Sequence, residues 1–214
     1  MRHHHALAVA SVACASLLAS GCGGAGEDTL YVSVSWSDTT VDLYTPTTLQ
    51  PTLNGFDGHE ARCGLTSDTL PPGMGLNRDC TISGTPSKTG GYSFTFDVSA
   101  EDTRGTVSSS GYINVQGPSA FYAAQSAKVG IALNQAPQFN GGWTAPPASL
   151  NPVWTWSVVN GTLPPGLALN ASTGAIAGTP TSAGTYSASI RGVLQVGVTS
   201  YTMPNTTYML TVAP

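Results

Sequence analysis

Charge is what this chain has least of. Its 214 residues include 7 Lys and Arg and 11 Asp and Glu, so that 8% are charged, against about 25% in an average soluble protein. The shortage is also uneven. All eleven carboxylates lie between Glu27 and Asp102, while residues 118–214 hold no Asp, Glu, His or Cys and carry only Lys128 and Arg191 as charges. That half cannot supply an ordinary general acid, general base or thiol nucleophile. Basic clusters are missing throughout, which excludes an electrostatic nucleic-acid surface. Beyond the N-terminal segment, Gly, Pro, Ser and Thr interrupt every candidate for an amphipathic helix.

What the chain has instead is a passage that occurs twice. Leu70-Pro71-Pro72-Gly73-Met74-Gly75-Leu76 returns as Leu163-Pro164-Pro165-Gly166-Leu167-Ala168-Leu169, and Thr81-Ile82-Ser83-Gly84-Thr85-Pro86 as Ala175-Ile176-Ala177-Gly178-Thr179-Pro180. Gly91-Tyr92-Ser93 is answered by Thr185-Tyr186-Ser187. The first block recurs at an offset of 93 and the later two at 94, so one residue is inserted between them. This pitch is too long for a solenoid unit and suits a whole β-sandwich domain. Pro72-Gly73 and Pro165-Gly166 fit type II turns, with proline presetting φ and glycine taking the positive φ. Gly84-Thr85-Pro86 and Gly178-Thr179-Pro180 end the next strand, because proline cannot donate to a ladder. These repeated residues are architectural rather than a binding loop.

The strand pattern agrees. Tyr92, Phe94, Phe96 and Val98 alternate with Ser93, Thr95, Asp97 and Ser99, and Tyr186, Ala188 and Ile190 repeat the alternation, the period of a half-buried strand. Val32, Val34 and Trp36 open a first domain that Ile113 and Val115 close, and Tyr208, Leu210 and Val212 close a second.

Residues 1–22 read as an export signal: Arg2 is followed by Ala6 to Leu18, an apolar run of 13 residues, too short to span a bilayer. His3-His4-His5 lies within the segment to be removed and is given no metal role. Leu18-Ala19-Ser20-Gly21-Cys22 resembles the bacterial lipobox, with the departure that Ala19 stands where leucine is favoured, three residues before the cysteine. The resemblance implies a lipid on Cys22 as the mature N-terminus, against ordinary signal cleavage nearby as the alternative. Gly23, not aspartate, follows the cysteine; in the lipoproteins it resembles, that implies the outer membrane, with the surface or periplasmic face left open. Cys63 and Cys80 then remain as an even pair in an oxidising compartment and are expected to form a disulfide. Its loop of seventeen residues stabilises by about 3 kcal/mol in the chain-entropy estimate. A zinc site is the rival, but two thiols with only His59 nearby fall short of four ligands.

On the residues from Trp156-Ser157-Val158 through Gly161-Thr162-Leu163-Pro164-Pro165-Gly166-Leu167 to Gly178-Thr179-Pro180 and Gly184-Thr185-Tyr186, the chain resembles the immunoglobulin-like repeats of bacterial surface and secreted proteins. Those repeats are relatives of cadherin-like and dystroglycan-like sandwiches. The expected fold is all-β: two tandem immunoglobulin-like β-sandwiches after the N-terminal signal segment. Residues 1–22 are the signal and lipobox, 23–28 a tether, 29–117 the first domain and 118–214 the second. The first copy departs from the pattern, with Cys63 where Trp156 aligns and Cys80 near Gly174; a bridge there would be a local substitute for packing.

Such repeats serve as spacers, adhesive modules and appendages to enzymes, so function has to come from particular residues. No catalytic residue is assigned: His59-Glu60 follows Asn54-Gly55-Phe56-Asp57-Gly58, a composition that an exposed polar loop shares. The cadherin-like resemblance raises calcium, for which Asp97, Glu101 and Asp102 are the candidates, with Asp38 and Asp42 approaching from another loop. Calcium wants six to eight oxygens, and the second domain has no carboxylate to add, so a solvated acidic loop is the preferred reading and no cofactor is assigned. Trp154 and Trp156, two apart on a strand, share a face and read as core. Trp143, in the loop Phe139-Asn140-Gly141-Gly142-Trp143-Thr144-Ala145-Pro146-Pro147, is the ligand-binding candidate, to stack on a sugar or dock a partner; its alternative is a lid over the sandwich end. The expected function is a non-enzymatic, outer-membrane-anchored binding or adhesive module for a glycan or envelope protein. The alternatives are a structural spacer or scaffold and a calcium-binding module.

Overall fold

A computed structural model describes residues 32–56, 59–67, 69–100, 106–143 and 145–214. The expected signal and lipobox (1–22, with Cys22), the tether (23–28), Glu101 and Asp102 lie outside the described residues. The chain divides into two compact units, one running through Gln116 and the other Gly117–Pro214.

The first unit contains β1 (Ser33–Ser35), β2 (Thr39–Asp42), β3 (Thr47–Leu49), β4 (Thr52–Asn54), β5 (Ala61–Ser67), β6 (Met74–Leu76), β7 (Ile82–Gly84), β8 (Gly90–Ala100) and β9 (Thr106–Gln116). One sheet runs β2-β9-β8-β5, a second β3-β7-β6, and β1 pairs with β4. The second unit contains β10 (Ala120–Phe121), β11 (Ser126–Lys128), β12 (Leu133–Gln135), β13 (Gln138–Phe139), β14 (Val153–Gly161), β15 (Leu167–Leu169), β16 (Ile176–Gly178), β17 (Gly184–Val196), β18 (Thr199–Thr202) and β19 (Thr206–Ala213). Its sheets, β11-β19-β17-β14, β12-β16-β15 and β10-β13, repeat the first unit strand for strand, and β18 is an addition that pairs with β17. In each unit the first strand of the larger sheet joins in parallel, β2 on β9 and β11 on β19, and the other pairings are antiparallel. The architecture is an immunoglobulin-like sandwich, all-β apart from two three-residue 3-10 turns at Asn140–Gly142 and Ala148–Leu150.

The alternation read from sequence decides which side of each strand is core. On β8, Phe94, Phe96 and Val98 are buried, and Trp36 meets Phe94 and Phe96 edge-on at 5.2 and 6.2 Å. On β17 and β19, Ala188, Ile190, Leu194, Tyr208, Leu210 and Val212 fill the second unit.

The doubled motifs hold each other in place. Met74 N–H bonds to the Pro71 carbonyl at 2.9 Å and Leu167 N–H to that of Pro164 at 3.0 Å, with Gly73 at φ +92 and Gly166 at φ +90, as type II turns require. Each turn is then clamped by the downstream Gly-Thr-Pro: Thr85 N–H bonds to the Gly73 carbonyl and Ser87 N–H to that of Pro72, as Thr179 does to Gly166 and Thr181 to Pro165. A Cβ on Gly166 would run into the Thr179 carbonyl oxygen, and one on Gly73 into that of Thr85. The third repeated block is a tyrosine corner. Tyr92 Oη donates to the Lys88 carbonyl at 3.1 Å and Tyr186 Oη to that of Ser182 at 3.3 Å.

Candidate functional site

Cys63 and Cys80 are joined by a disulfide, with Cα atoms 5.0 Å apart. It ties β5 to the turn after β6, and the second unit does the same job without sulfur. There Trp156, at the position of Cys63, lies so close over Gly174, at the position of Cys80, that a Cβ on the glycine would be 2.6 Å from the indole. The backbone agrees: Cys63 N–H bonds to Arg78 and Trp156 N–H to Ala171, and Cys80 (φ +68) and Gly174 (φ +72) are both left-handed. The inserted residue of the repeat falls in this turn, where Cys80 bonds back to Asn77 across three residues and Gly174 to Asn170 across four.

The Trp156 indole belongs to an aromatic cluster with no counterpart at the matching positions among the described residues of the first copy. Phe139, at the end of β13, lies 5.3 Å from Trp143, 5.5 Å from Trp154 and 6.4 Å from Trp156, ring centre to centre. Trp154 and Trp156 share a face of β14 and stack at 5.7 Å, and Trp143 meets Trp154 edge-on at 6.0 Å. Trp143 is 7% exposed. The 3-10 turn Asn140–Gly142, opened by Gly141 at φ +71, folds the loop back so that this indole lies within the cluster. That is the lid arrangement, and the ring surface that still reaches solvent belongs to half-buried Trp154 and Phe139. The spacing of two reads Trp154 as core together with Trp156; its place at the outer end of β14 is the signal that separates them. The Trp143 indole N–H is buried and has no hydrogen-bond partner among the described residues, an arrangement that costs about 1–3 kcal/mol in an apolar site.

Tyr122 donates from Oη to the Gly174 carbonyl at 2.6 Å and meets Tyr208 edge-on at 5.3 Å. Burial, and secondarily Tyr208, pushes its hydroxyl up to about 12, so it stays neutral at any physiological pH. Among the described residues no three His, Cys, Asp or Glu side chains come together as a metal site. Asp97 accepts a hydrogen bond from Ser108 Oγ at 2.5 Å and Asp42 one from Gln116 Nε2 at 2.9 Å, at opposite ends of β9, while Glu101 and Asp102 lie outside the described residues. His59 N–H bonds to the Phe56 carbonyl in a turn. Taken together, these groups can bind through apolar rings and hydroxyls.

Comparison with known proteins adds the following. The family described as "Putative Ig domain" matches residues 28–116 and again 122–213. No curated protein matches the chain. Among solved structures, an endo-fucoidan hydrolase of glycoside hydrolase family 107 is similar at 20% identity and a TM-score of 0.32, over 82% of this chain and 28% of that one. A SusE-like surface-located polysaccharide-binding protein from the heparin utilisation locus of Bacteroides thetaiotaomicron is similar at 14% identity and a TM-score of 0.32, over 82% of this chain and 32% of that one. The first two cadherin domains of human protocadherin-24 are similar at 9% identity and a TM-score of 0.31, over 82% of this chain and 92% of that one. The chain spans less than a third of the length of the two carbohydrate-active proteins.

Proposed function

This chain belongs to the Putative Ig domain family through both of its units, and on that premise we propose that it is a non-enzymatic binding module of the bacterial cell envelope. In this reading a lipid on Cys22 holds it at the outer membrane, and the second unit engages a glycan or an envelope protein. The carrying observation is the surface of that unit. It has no Asp, Glu, His or Cys to run acid–base or thiol chemistry, yet it exposes Val153 (56%), next in sequence to the half-buried ring of Trp154, and Val198 (102%) in the turn between β17 and β18. Interface centres are depleted of charge and enriched in aromatic residues, and the electron-rich face of an aromatic ring suits the C–H groups of a pyranose. The lipobox-like Leu18-Ala19-Ser20-Gly21-Cys22 supports the anchor, and Gly23 in place of aspartate supports the outer membrane.

The test is fractionation and protease shaving of intact cells, with native chain beside Cys22→Ser. The native chain is expected in the outer-membrane fraction, with Cys22→Ser released and altered in size. A Cys22→Ser chain unchanged in retention and size sinks the anchor. Ligand capture is read separately, by retention of the full chain on immobilised envelope polysaccharide and by crosslinking to envelope proteins. Trp154→Ala is expected to lose that retention; capture by neither route removes the binding reading and leaves a spacer.

A further inference from the structure

The outward faces of the two larger sheets carry the same pattern with its charges reversed. Ladder pairing places Gly90 opposite Val115 in the first unit and Gly184 opposite Val212 in the second, which aligns the two faces residue by residue. Asp97 on β8 then occupies the position of Arg191 on β17, 94 residues on. Asp42, whose neighbour Val41 pairs with Val115, occupies the position of Lys128, whose neighbour Ala127 pairs with Val212. Between the charges, Tyr112 faces Ser93 across the ladder where Met209 faces Ser187, and the two are 39% and 63% exposed. Around these positions Thr95, Ser99, Ser110 and Asn114 line one face and Thr185, Ser189, Thr207 and Thr211 the other, with Val153 and Val193 towards the far end of the second face. Arg62, on the edge strand β5 level with Ser99, is the single cation among the described residues of the first face.

The spacing is what gives the pattern its consequence. Asp97 pairs with Ser108 and Asp42 with Gln116, so eight residues of β9, about 26 Å at the rise of a strand, separate the two carboxylates. Tyr112 stands midway. Arg191 bonds through Nε to Asn205 Oδ1 at 3.2 Å and Lys128 pairs with Ala213, so the cations have the same spacing about Met209. One face laid on the other with Tyr112 against Met209 brings both carboxylates over both cations when the strands of the two faces cross at about 40°, because Asp97 and Asp42 lie on strands either side of β9, as Arg191 and Lys128 do about β19. Like faces would set anion on anion or cation on cation. Apolar centre and charged rim are the anatomy of an interface, and electrostatic complementarity of this kind selects the partner and register.

We propose that copies of this chain associate through these faces, the acidic face of the first unit on one copy docking the basic face of the second unit on another. The contact is heterologous, so a docked pair keeps one basic face on the first copy and one acidic face on the second for further neighbours. It depends on neither the lipid anchor nor the ligand, and it is carried by charge complementarity at matched positions.

The experiment is sedimentation velocity of the full chain up to about 1 mM, where a weak contact is populated, at about 0.01 M and about 1 M ionic strength. Two charge variants accompany it: Asp42→Lys with Asp97→Arg, which makes both faces basic, and Lys128→Asp with Arg191→Asp, which makes both acidic. The wild-type chain is expected to sediment faster than a monomer at low salt and as a monomer at high salt. Each variant alone is expected to be monomeric with an unchanged melting temperature, and the two mixed are expected to associate. A wild-type chain monomeric at low salt overturns the proposal, as does association that survives high salt or persists in either variant alone. If a variant melts low, the wild-type salt dependence still decides.

Discussion

Tryptophan 143 shows how far a residue's role depends on its neighbours. Its Gly- and Pro-rich loop reads as exposed, but the indole is 7% exposed and packed by Phe139 and Trp154. Trp143→Ala is therefore expected to destabilise by about 3–5 kcal/mol, the range for emptying a buried aromatic site, seen as a lower melting temperature of the second unit. Trp154→Ala, at a half-buried position, is expected to cost less stability and more ligand retention; equal losses in both would mark the cluster as core throughout. The sequence left open whether Trp143 is exposed on its loop or folded back as a lid, because a Gly- and Pro-rich composition serves both. What decides is the left-handed Gly141 turn that carries the loop back.

At the scale of elements, the doubled Leu-Pro-Pro-Gly turn and the Gly-Thr-Pro strand end form one mechanical unit, each supplying the hydrogen-bond partners of the other. This explains why they recur together with an insertion between them, since the inserted residue sits in the turn that lies outside the clamp. Gly166→Ala combines a positive φ with a backbone collision at the Thr179 carbonyl. It is expected to destabilise by more than about 1 kcal/mol, measured by denaturant midpoint. Gly75→Ala, on β6 with open space at its Cβ, is the control expected to change little. The turn type, the strand period and the disulfide were legible from sequence, because each depends on residues near in the chain or on counting. The clamp was not, because its partners are twelve to sixteen residues apart and meet only when β6 pairs with β7 and β15 with β16.

For the whole molecule, one fold solved the same packing problem in two ways. The first unit fixes the turn after β6 to β5 with Cys63–Cys80, and the second fixes it with Trp156 over Gly174. Reduction is therefore expected to act on one unit alone. In calorimetry with dithiothreitol, the transition of the first unit is expected to move down by an amount equivalent to about 3 kcal/mol, while that of the second keeps its place. A shift of both, or of neither, contradicts the assignment. Cys80 stands at φ +68, a conformation that glycine takes more readily than alanine, so Cys80→Gly is expected to be a milder loss than Cys80→Ala.

The sequence by itself determined the tandem pair of sandwiches, the strands and their inward sides, the turns and the disulfide. Local steric preference and the period of two settle those whatever the distant chain does. Only the tertiary structure decided which tryptophan is covered, how the repeated motifs clamp, and that Asp42 and Lys128 hold the same place on opposite-signed faces. Those positions are 86 residues apart, outside the offsets of the repeated blocks, and ladder register alone makes them equivalent.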